Sequence, residues 1–366
     1  MADSPDFRFI DLFAGIGGMR MAMEDLGGKC VFASEIEPNA AKVYEDNFGD
    51  EPKLYGDITK LPWEKTDQVK KELGEFDILV GGFPCQAFSM AGKRNGFKDD
   101  RGKLFDYIDK ILGICKPKAF LLENVVGLVS QDKGKTLEHI LSRLNKLGYY
   151  VPDPQILDAS DYGVPQKRKR IYIVGFREDL GIDKFDYPKP TTPNEEDKKT
   201  LESVMTAVRV PNEYYLSQGY LDCLKNHKKK QHEEGRGFGY CILKPGDIPN
   251  TLMGGGMGRE RNLIRDDKIG NDRTTKTHRK TPINSENIRA LTPREFARIQ
   301  GFPDDFKIDV SKTYAYKLFG NSVAIDVVYY VGLEMMKSLK SKKEIKNYKV
   351  RVPDSKKYNH DLTKID

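Results

Sequence analysis

The chain has few cysteines, few histidines and no long apolar run, and each shortage excludes a class of protein. Its five cysteines lack paired spacing and include no Cys-x-x-Cys, which argues against a disulfide framework. The five histidines are scattered, so we expect neither a structural zinc site nor any other metal. No run approaches the roughly 20 apolar residues of a membrane span, and the first residues lack the pattern of an export signal. These absences predict a cytoplasmic protein with free thiols and no membrane contact.

What the chain does have is length and a mild excess of positive charge. Its 366 residues are 38% hydrophobic and carry a formal net charge of +6. That length can bury a large core in one or two domains. The charge permits nucleic-acid binding without demanding it. The basic residues are concentrated in two stretches, 259–280 and 337–366.

Apolar runs alternate with helical patterns through the first half of the chain. Strands are predicted at 9–13, 30–34, 76–80, 119–123 and 171–176, and helices at 19–26, 38–48, 103–115 and 135–147. This alternation predicts an α/β fold with a doubly wound, mostly parallel sheet. Ligands of such sheets bind at the carboxyl ends of the strands.

After residue 190 this rhythm stops, and residues 191 to about 285 are polar, Gly-rich and irregular. Thr292, Pro293 and Glu295 predict a capping box at the start of a helix. The pattern from 314 to 340 predicts one helix that returns to the first domain. We therefore expect three parts: 1–190 with 313–345 as one domain, 191–312 as a second, smaller domain, and 346–366 as a basic C-terminal tail.

Three reactive groups follow or precede predicted strands. Cys85 lies in Gly-Gly-Phe-Pro-Cys-Gln, directly after the run at 76–80, and Glu123 ends the run at 119–123. Arg168 and Arg170 lead into the strand at 171–176. A cysteine after a strand is most often a small core residue, but one on a Pro-fixed loop is placed to react. A Lys/Arg run is usually a solvated face, although alternation into a strand would point both arginines to one side.

A glycine-rich turn, Phe-Ala-Gly-Ile-Gly-Gly at 13–18, follows the first strand and opens the first helix. It lacks the GxGxxG pattern, so no pyrophosphate site is implied. Glu35 lies about 20 residues on, where a carboxylate would accept both hydroxyls of a ribose. Asp57 ends a further short element and could accept an adenine amino group. Either acid alone would be interpreted as a solvated loop residue.

These motifs, with Gly-Asn-Ser-Val at 320–323, occur in an order that resembles the DNA cytosine-5 methyltransferases of bacterial restriction–modification systems. The resemblance runs from about Phe7 to about Val331. It implies a monomeric, Rossmann-like enzyme that transfers a methyl group from S-adenosylmethionine to C5 of cytosine and releases S-adenosylhomocysteine. It also implies double-stranded DNA as partner, a nucleoid-associated location in a prokaryotic cytoplasm, and a possible cognate restriction endonuclease that shares the site without direct contact.

The resemblance also assigns residues to the reaction. Cys85 would add to C6 of the base, Glu123 would contact N3 and the exocyclic amine, and Arg168 and Arg170 would lower the thiol pKa. Of the two arginines, Arg170 is the one usually drawn to the active site. The cofactor pocket would comprise Phe13, Gly15, Gly17, Gly18, Glu35, Ile36, Asp57, Ile58, Pro84, Asn321 and Ser322. Ile36 departs from family members that have an aromatic residue there.

A cytosine inside duplex DNA must be flipped out before it can react. Residues 89–103, with three glycines, are predicted to form a loop that closes over it. The expected DNA-binding residues are Gln86, Ser89, Lys93, Arg94, Arg101, Arg259 and Arg261. The segment 254–261 would read guanine through its arginines or, alternatively, touch phosphates as a flexible basic loop.

Two other functions fit the same motifs. One is an RNA cytosine-5 methyltransferase of the branch that acts on tRNA, although a Gly- and Arg-rich region near 100 residues favours duplex DNA. The other is a catalytically silent DNA-binding regulator, against which the presence of all four reactive residues argues.

Overall fold

The computed structural model describes residues 5–83, 104–235, 239–255, 259–275, 280–340 and 360–365. They form two compact units. The first consists of the described residues of Met1–Tyr162, Lys169–Thr191 and Val323–Asp354, and the second of those of Gly163–Arg168, Thr192–Ser322 and Ser355–Asp366.

A seven-stranded sheet is the centre of the first unit. Its strands are β1 (Phe7–Leu12), β2 (Gly28–Ser34), β3 (Ile78–Gly82), β4 (Ala119–Val125), β5 (Tyr149–Tyr150), β6 (Gln155–Asp158) and β7 (Lys169–Arg177). The order is β2-β1-β3-β4-β7-β5, with β6 paired alongside β7. The first four strands are parallel and β7 runs antiparallel to its neighbours. The predicted mostly parallel α/β sheet is confirmed.

Ten helices accompany the strands of the two units in the part of the chain described. They are α1 (Gly18–Asp25), α2 (Pro38–Phe48), α3 (Thr66–Leu73), α4 (Leu104–Cys115), α5 (Gly127–Ser130), α6 (Lys135–Lys146), α7 (Gln218–Glu233), α8 (Pro293–Gln300), α9 (Lys312–Asn321) and α10 (Ile325–Leu339). Residues from β1, β3, β4 and β7 form one buried core with α4 and α6. Helix α10 packs on α1, where Gly332 permits close approach because a Cβ there would lie 2.7 Å from Leu26.

The second unit contains a small sheet and three helices. Its strands are β8 (Ile242–Leu243), β9 (Leu263–Arg265) and β10 (Ile288–Ala290), in the order β10-β9-β8. The predicted capping box of Thr292 and Glu295 at the start of α8 is confirmed. Glu295 also pairs with the fully buried Arg289 at 2.8 Å, so the cap is part of the core.

Two sequence expectations for the chain after residue 190 differ from the structure. The region 191–285, expected to be irregular, contains α7 and two strands; α7 buries only Leu221 and Leu224, and so has a weak apolar pattern. The single helix expected at 314–340 is two helices, α9 and α10. Gln300 donates to the Phe319 carbonyl at 2.6 Å, which satisfies an end group that a continuous helix would use internally.

The boundary between the units falls after Thr191, one residue from the expected division, but α9 groups with the second unit. Residues 360–365, expected to belong to a tail, also pack there. Arg298 donates to the carbonyls of Asp361 (2.8 Å) and Lys364 (3.1 Å), and the Ala207 amide donates to the Leu362 carbonyl. Among the described residues, none of the helices has the length and apolar character to cross a membrane.

Candidate active site

The glycine-rich turn after β1 has an unusual backbone. Phe13, Gly15 and Gly17 all have positive φ, at 58°, 57° and 85°. Such a conformation is costly for phenylalanine and persists only where surroundings impose it. Gly17 is required sterically as well, since a Cβ would lie 2.2 Å from the ring of Phe48. The turn lies at the carboxyl end of β1, where a glycine-rich backbone permits close approach of a ligand.

Glu35 closes this turn from the end of β2. Its Oε2 accepts from the Gly15 amide at 2.8 Å and its Oε1 accepts from the Glu37 amide at 2.7 Å. Burial raises the pKa of Glu35, and these two amides oppose that rise. Each carboxylate oxygen retains a lone pair for another donor. A fixed pair of acceptors of this kind suits two neighbouring hydroxyls.

A backbone hydrogen bond brings the segment of the other predicted cofactor residues of the first unit near the end of β2. The Glu35 amide donates to the Tyr55 carbonyl at 2.9 Å, which brings the segment with Asp57 beside the end of β2. Asp57 caps a short 3₁₀ turn by accepting from the Thr59 amide. Ile36 is 68% exposed, whereas Ile58 is buried in the core, which leaves only its backbone for a ligand.

Glu123 and Arg170 form an ion pair at the carboxyl end of β4. The Glu123 Oε1 lies 3.1 Å from the Arg170 Nε, and both side chains are largely buried. Glu123 is paired in register with Gly82 of β3, and a Cβ on Gly82 would lie 3.7 Å from Oε2. The carboxylate therefore lies beside the point where β3 ends.

Asn124 is a site residue to which sequence reasoning gave no role in the reaction. Its Nδ2 donates to the Phe83 carbonyl at 3.2 Å and its Oδ1 accepts from the Val125 amide at 2.8 Å. Phe83 is the last described residue before the segment with Cys85. Asn124 thus fixes the backbone that leads to the candidate nucleophile.

Arg168 and Arg170 have different environments, contrary to the expectation that both point to one side. β7 begins at Lys169, and Arg168 belongs to the second unit. Its guanidinium donates to the carbonyls of Leu252 (3.1 Å), Gly320 (3.2 Å) and Ser322 (2.5 Å). These contacts join three segments of that unit, whereas Arg170 is paired with a carboxylate.

The remaining predicted residues of the second unit lie close to these segments. Asn321 packs on Gly254, where a Cβ would lie 2.1 Å from its Oδ1. The guanidinium carbon of Arg259 lies 5.2 Å from the ring centroid of Tyr316, and the Arg261 carbonyl accepts from Asn250. The other predicted residues lie outside the described ranges: Pro84, Cys85, Gln86, Ser89, Lys93, Arg94 and Arg101.

Asp11 is a second residue that sequence reasoning left without a role. Its neighbours Ile10 and Leu12 face the core, so alternation along β1 turns Asp11 to the opposite face. It is 1% exposed, and neither carboxylate oxygen has a hydrogen-bond partner. Burial raises its pKa to about 8, and Arg20 is the main influence that lowers it. No group of three or more potential metal ligands occurs among the described residues.

The fold of the chain is shared with solved methyltransferases. The solved structures it resembles include S. pombe Dnmt2 methyltransferase (TM-score 0.67, 21% identity, 92% of this chain and 100% of that chain). Another is Entamoeba histolytica methyltransferase EhMeth (TM-score 0.68, 19% identity, the same coverage).

The model of the C-5 cytosine-specific DNA methylase family matches residues 7–337, and the chain belongs to that family. It is 51% identical over 335 residues to the Type II methyltransferase M.HpaII of Haemophilus parainfluenzae, covering 91% of this chain and 90% of that protein. It is 38% identical over 341 residues to the Type II methyltransferase M.HhaI of Haemophilus parahaemolyticus, covering 92% and 96%. The predicted family and enzyme class, a DNA cytosine-5 methyltransferase, are confirmed.

Proposed function

We propose that the enzyme methylates C5 of a flipped-out cytosine in one specific duplex sequence, through a covalent bond between Cys85 and C6. The observation that carries the proposal is the Glu123–Arg170 pair at 3.1 Å, beside the end of β3. Cys85 follows that end by three residues. A carboxylate, a guanidinium and a thiol would then act on one cytosine.

Cytosine C5 is too weak a nucleophile to react unaided, so the chain must first activate the ring. The Cys85 thiolate adds to C6, Glu123 contacts N3 and the exocyclic amine, and electron density moves to C5. After the methyl group has joined C5, a base removes the C5 proton and the thiolate leaves C6. Arg170 fixes the Glu123 carboxylate throughout. Arg168 acts indirectly, because its hydrogen bonds to backbone carbonyls hold its own segment in place.

Adenosylmethionine supplies an electrophilic methyl group on its sulfonium. The residues present fit it. Glu35 offers two acceptors for the ribose hydroxyls, and the exposed Ile36 offers an apolar surface. Asp57 is the candidate for the adenine amine, and it follows the Tyr55 carbonyl, which accepts from the Glu35 amide, by two residues. The turn formed by Phe13, Gly15, Gly17 and Gly18 would approach it with its backbone. Ile58 (through its backbone), Pro84, Asn321 and Ser322 complete the proposed pocket.

The second unit is proposed to recognise the DNA sequence. Arg259 and Arg261 are its candidates for reading base edges. Other side chains would contact the DNA backbone or fill the space left by the flipped base. The candidates are Gln86, Ser89, Lys93, Arg94 and Arg101. Because the relatives M.HpaII and M.HhaI are Type II methyltransferases, we infer that this enzyme is the modification half of a restriction–modification system. It would work as a monomer near the nucleoid, without direct contact with its endonuclease.

Bisulfite sequencing of plasmid DNA from cells that express the chain tests the proposal. We expect protected cytosines in one repeated context, and none with Cys85→Ser. Wild-type protection by Cys85→Ser would exclude Cys85 as the nucleophile. Absence of protection from wild-type protein that binds adenosylmethionine would exclude duplex DNA and direct the test to tRNA.

A further inference from the structure

Arg20 is a buried arginine on α1 to which the proposed function gives no role. It lies two residues after the glycine-rich turn ends at Gly18 and is 6% exposed. Burial of an arginine requires that its charge and its donors be satisfied by the protein. The hydrogen-bond partners of Arg20 therefore show which elements its side chain connects.

The guanidinium joins α1 to α2 and to the segment that follows α2. Nη1 donates to the Tyr44 hydroxyl at 3.0 Å, Nη2 to the Glu51 carbonyl at 3.2 Å, and Nε to Glu24 on its own helix at 2.7 Å. Its central carbon also lies 4.5 Å from the ring centroid of Phe48, a cation–π distance.

Phe48 connects this contact to the turn. Its ring occupies the space that a side chain on Gly17 would need, with 2.2 Å between the ring and a Cβ at that position. The guanidinium therefore lies on a ring that itself lies against the left-handed turn. Helix α1 starts from this turn, and α2 starts soon after Glu35, so Arg20 links the helices on both sides of the Gly15–Glu35 hydrogen bond.

The Arg20 guanidinium also acts electrostatically on Asp11. Its carboxylate is buried on the strand that enters the turn and has no hydrogen-bond partner. Of the groups that act on it, Arg20 is the one that most favours its charged form. Arg20 therefore acts on a residue of β1 as well as on the two helices.

We propose that Arg20 is a positioning residue for cofactor binding. It holds the glycine-rich turn and Glu35 at the spacing that accepts the ribose of the cofactor. The proposal rests on the proposed function, because it presumes that Glu35 and the turn bind adenosylmethionine. Arg20 itself does not touch the cofactor. It acts through Phe48 and Tyr44 on the two elements that do.

The test compares Arg20→Met and Arg20→Lys with wild type by calorimetric titration with adenosylmethionine and by steady-state methylation. We expect Arg20→Met to raise the Kd and KM for adenosylmethionine about ten-fold or more, because preorganisation of the binding groups is lost. The kcat at saturating cofactor and the KM for DNA should change less than about three-fold. Arg20→Lys retains a charge beside Asp11 but has no fork for Tyr44 and Glu51, so its Kd should lie between the two.

Lys42→Met is the matched control. Lys42 is a cation on the exposed face of α2, paired with Asp46 at 2.7 Å, and its loss should leave the Kd unchanged. If both Arg20 variants bind adenosylmethionine as wild type does, the inference is wrong and the proposed function stands. The same conclusion follows if the variants only reduce the fraction of folded protein and leave the KM for adenosylmethionine unchanged. If wild type itself does not bind adenosylmethionine, the proposed function fails. Should Arg20→Met not fold, Arg20→Lys decides the question alone.

Discussion

Arg168 and Arg170 are the same residue type two positions apart, and the structure predicts opposite consequences for their loss. Arg168 makes four contacts to three backbone carbonyls of the second unit. Each buried carbonyl left without a donor costs about 1–3 kcal/mol. The Ser322 carbonyl keeps Gln300 as a donor at 3.4 Å. Loss of the donor to Leu252 and Gly320 in Arg168→Met should therefore destabilise that unit by roughly 2–6 kcal/mol. That is a large part of the 5–15 kcal/mol that typically stabilises a domain.

Arg170→Met should instead reduce the rate. Glu123 would lose its partner but remains about 10% exposed, so we expect a stability loss of only ~1–2 kcal/mol. Removing a fixed charge from the reacting centre should lower kcat about 10²–10³-fold. Folded Arg168→Met molecules should retain activity within about ten-fold of wild type.

Thermal unfolding and single-turnover methyl transfer, normalised to the folded fraction, separate these effects. Lys169→Met is the matched control, since Lys169 lies between the two arginines and is exposed. It should change neither measurement. An Arg168→Met protein that melts like wild type, or an Arg170→Met protein with wild-type rates, would refute the assignment of the two roles.

Three further outcomes can be measured. Glu35→Gln leaves one oxygen for two amides and the ribose, so adenosylmethionine affinity should fall by about 1–3 kcal/mol in a calorimetric titration; unchanged affinity would remove Glu35 from the pocket. The folded pKa of Asp11, about 8, lies above its unfolded value of 3.8, so its contribution to stability is present below pH 4 and lost as the pH rises to 8. Asp11→Asn should flatten that dependence by about 1.4 kcal/mol per pH unit, and parallel stability–pH curves for the two proteins would contradict it. Deletion of 360–366 removes two carbonyl acceptors of Arg298 and should lower the free energy of unfolding by roughly 2–4 kcal/mol; an unchanged melting temperature would show that the segment contributes nothing.

Sequence patterns predicted β1 to β4, β7 and the longer helices of the first unit because their signals are local, whereas β5, β6, α3 and α5 were not predicted. Helix α2 was expected at 38–48 and occurs there, and the other expected elements of the sheet differ by a few residues at their ends. Strands β8, β9 and β10 were missed because segments of two or three residues have no detectable period. The capping box of Thr292 was found because its partners lie within three residues.

The environment of Arg168 could not be predicted in this way. Its acceptors at 252, 320 and 322 are 84 to 154 residues distant in the chain, and only the folded backbone brings them together. The same holds for Asp11, because its burial becomes visible only in the folded chain. Sequence motifs identify reactive residue types, but the distinction between a reacting and a supporting arginine requires their neighbours.

The packing of α10 on α1 has a consequence for synthesis of the protein in the cell. The helix that starts at the glycine-rich turn is covered by a helix made about 300 residues later. At translation rates of 5–20 residues per second, α1 waits roughly 15–60 s for its partner. Its apolar face, with Met23 and Leu26, stays uncovered on the ribosome for that time. Nascent chains should therefore depend on chaperones, and cofactor binding should begin only after α10 has emerged.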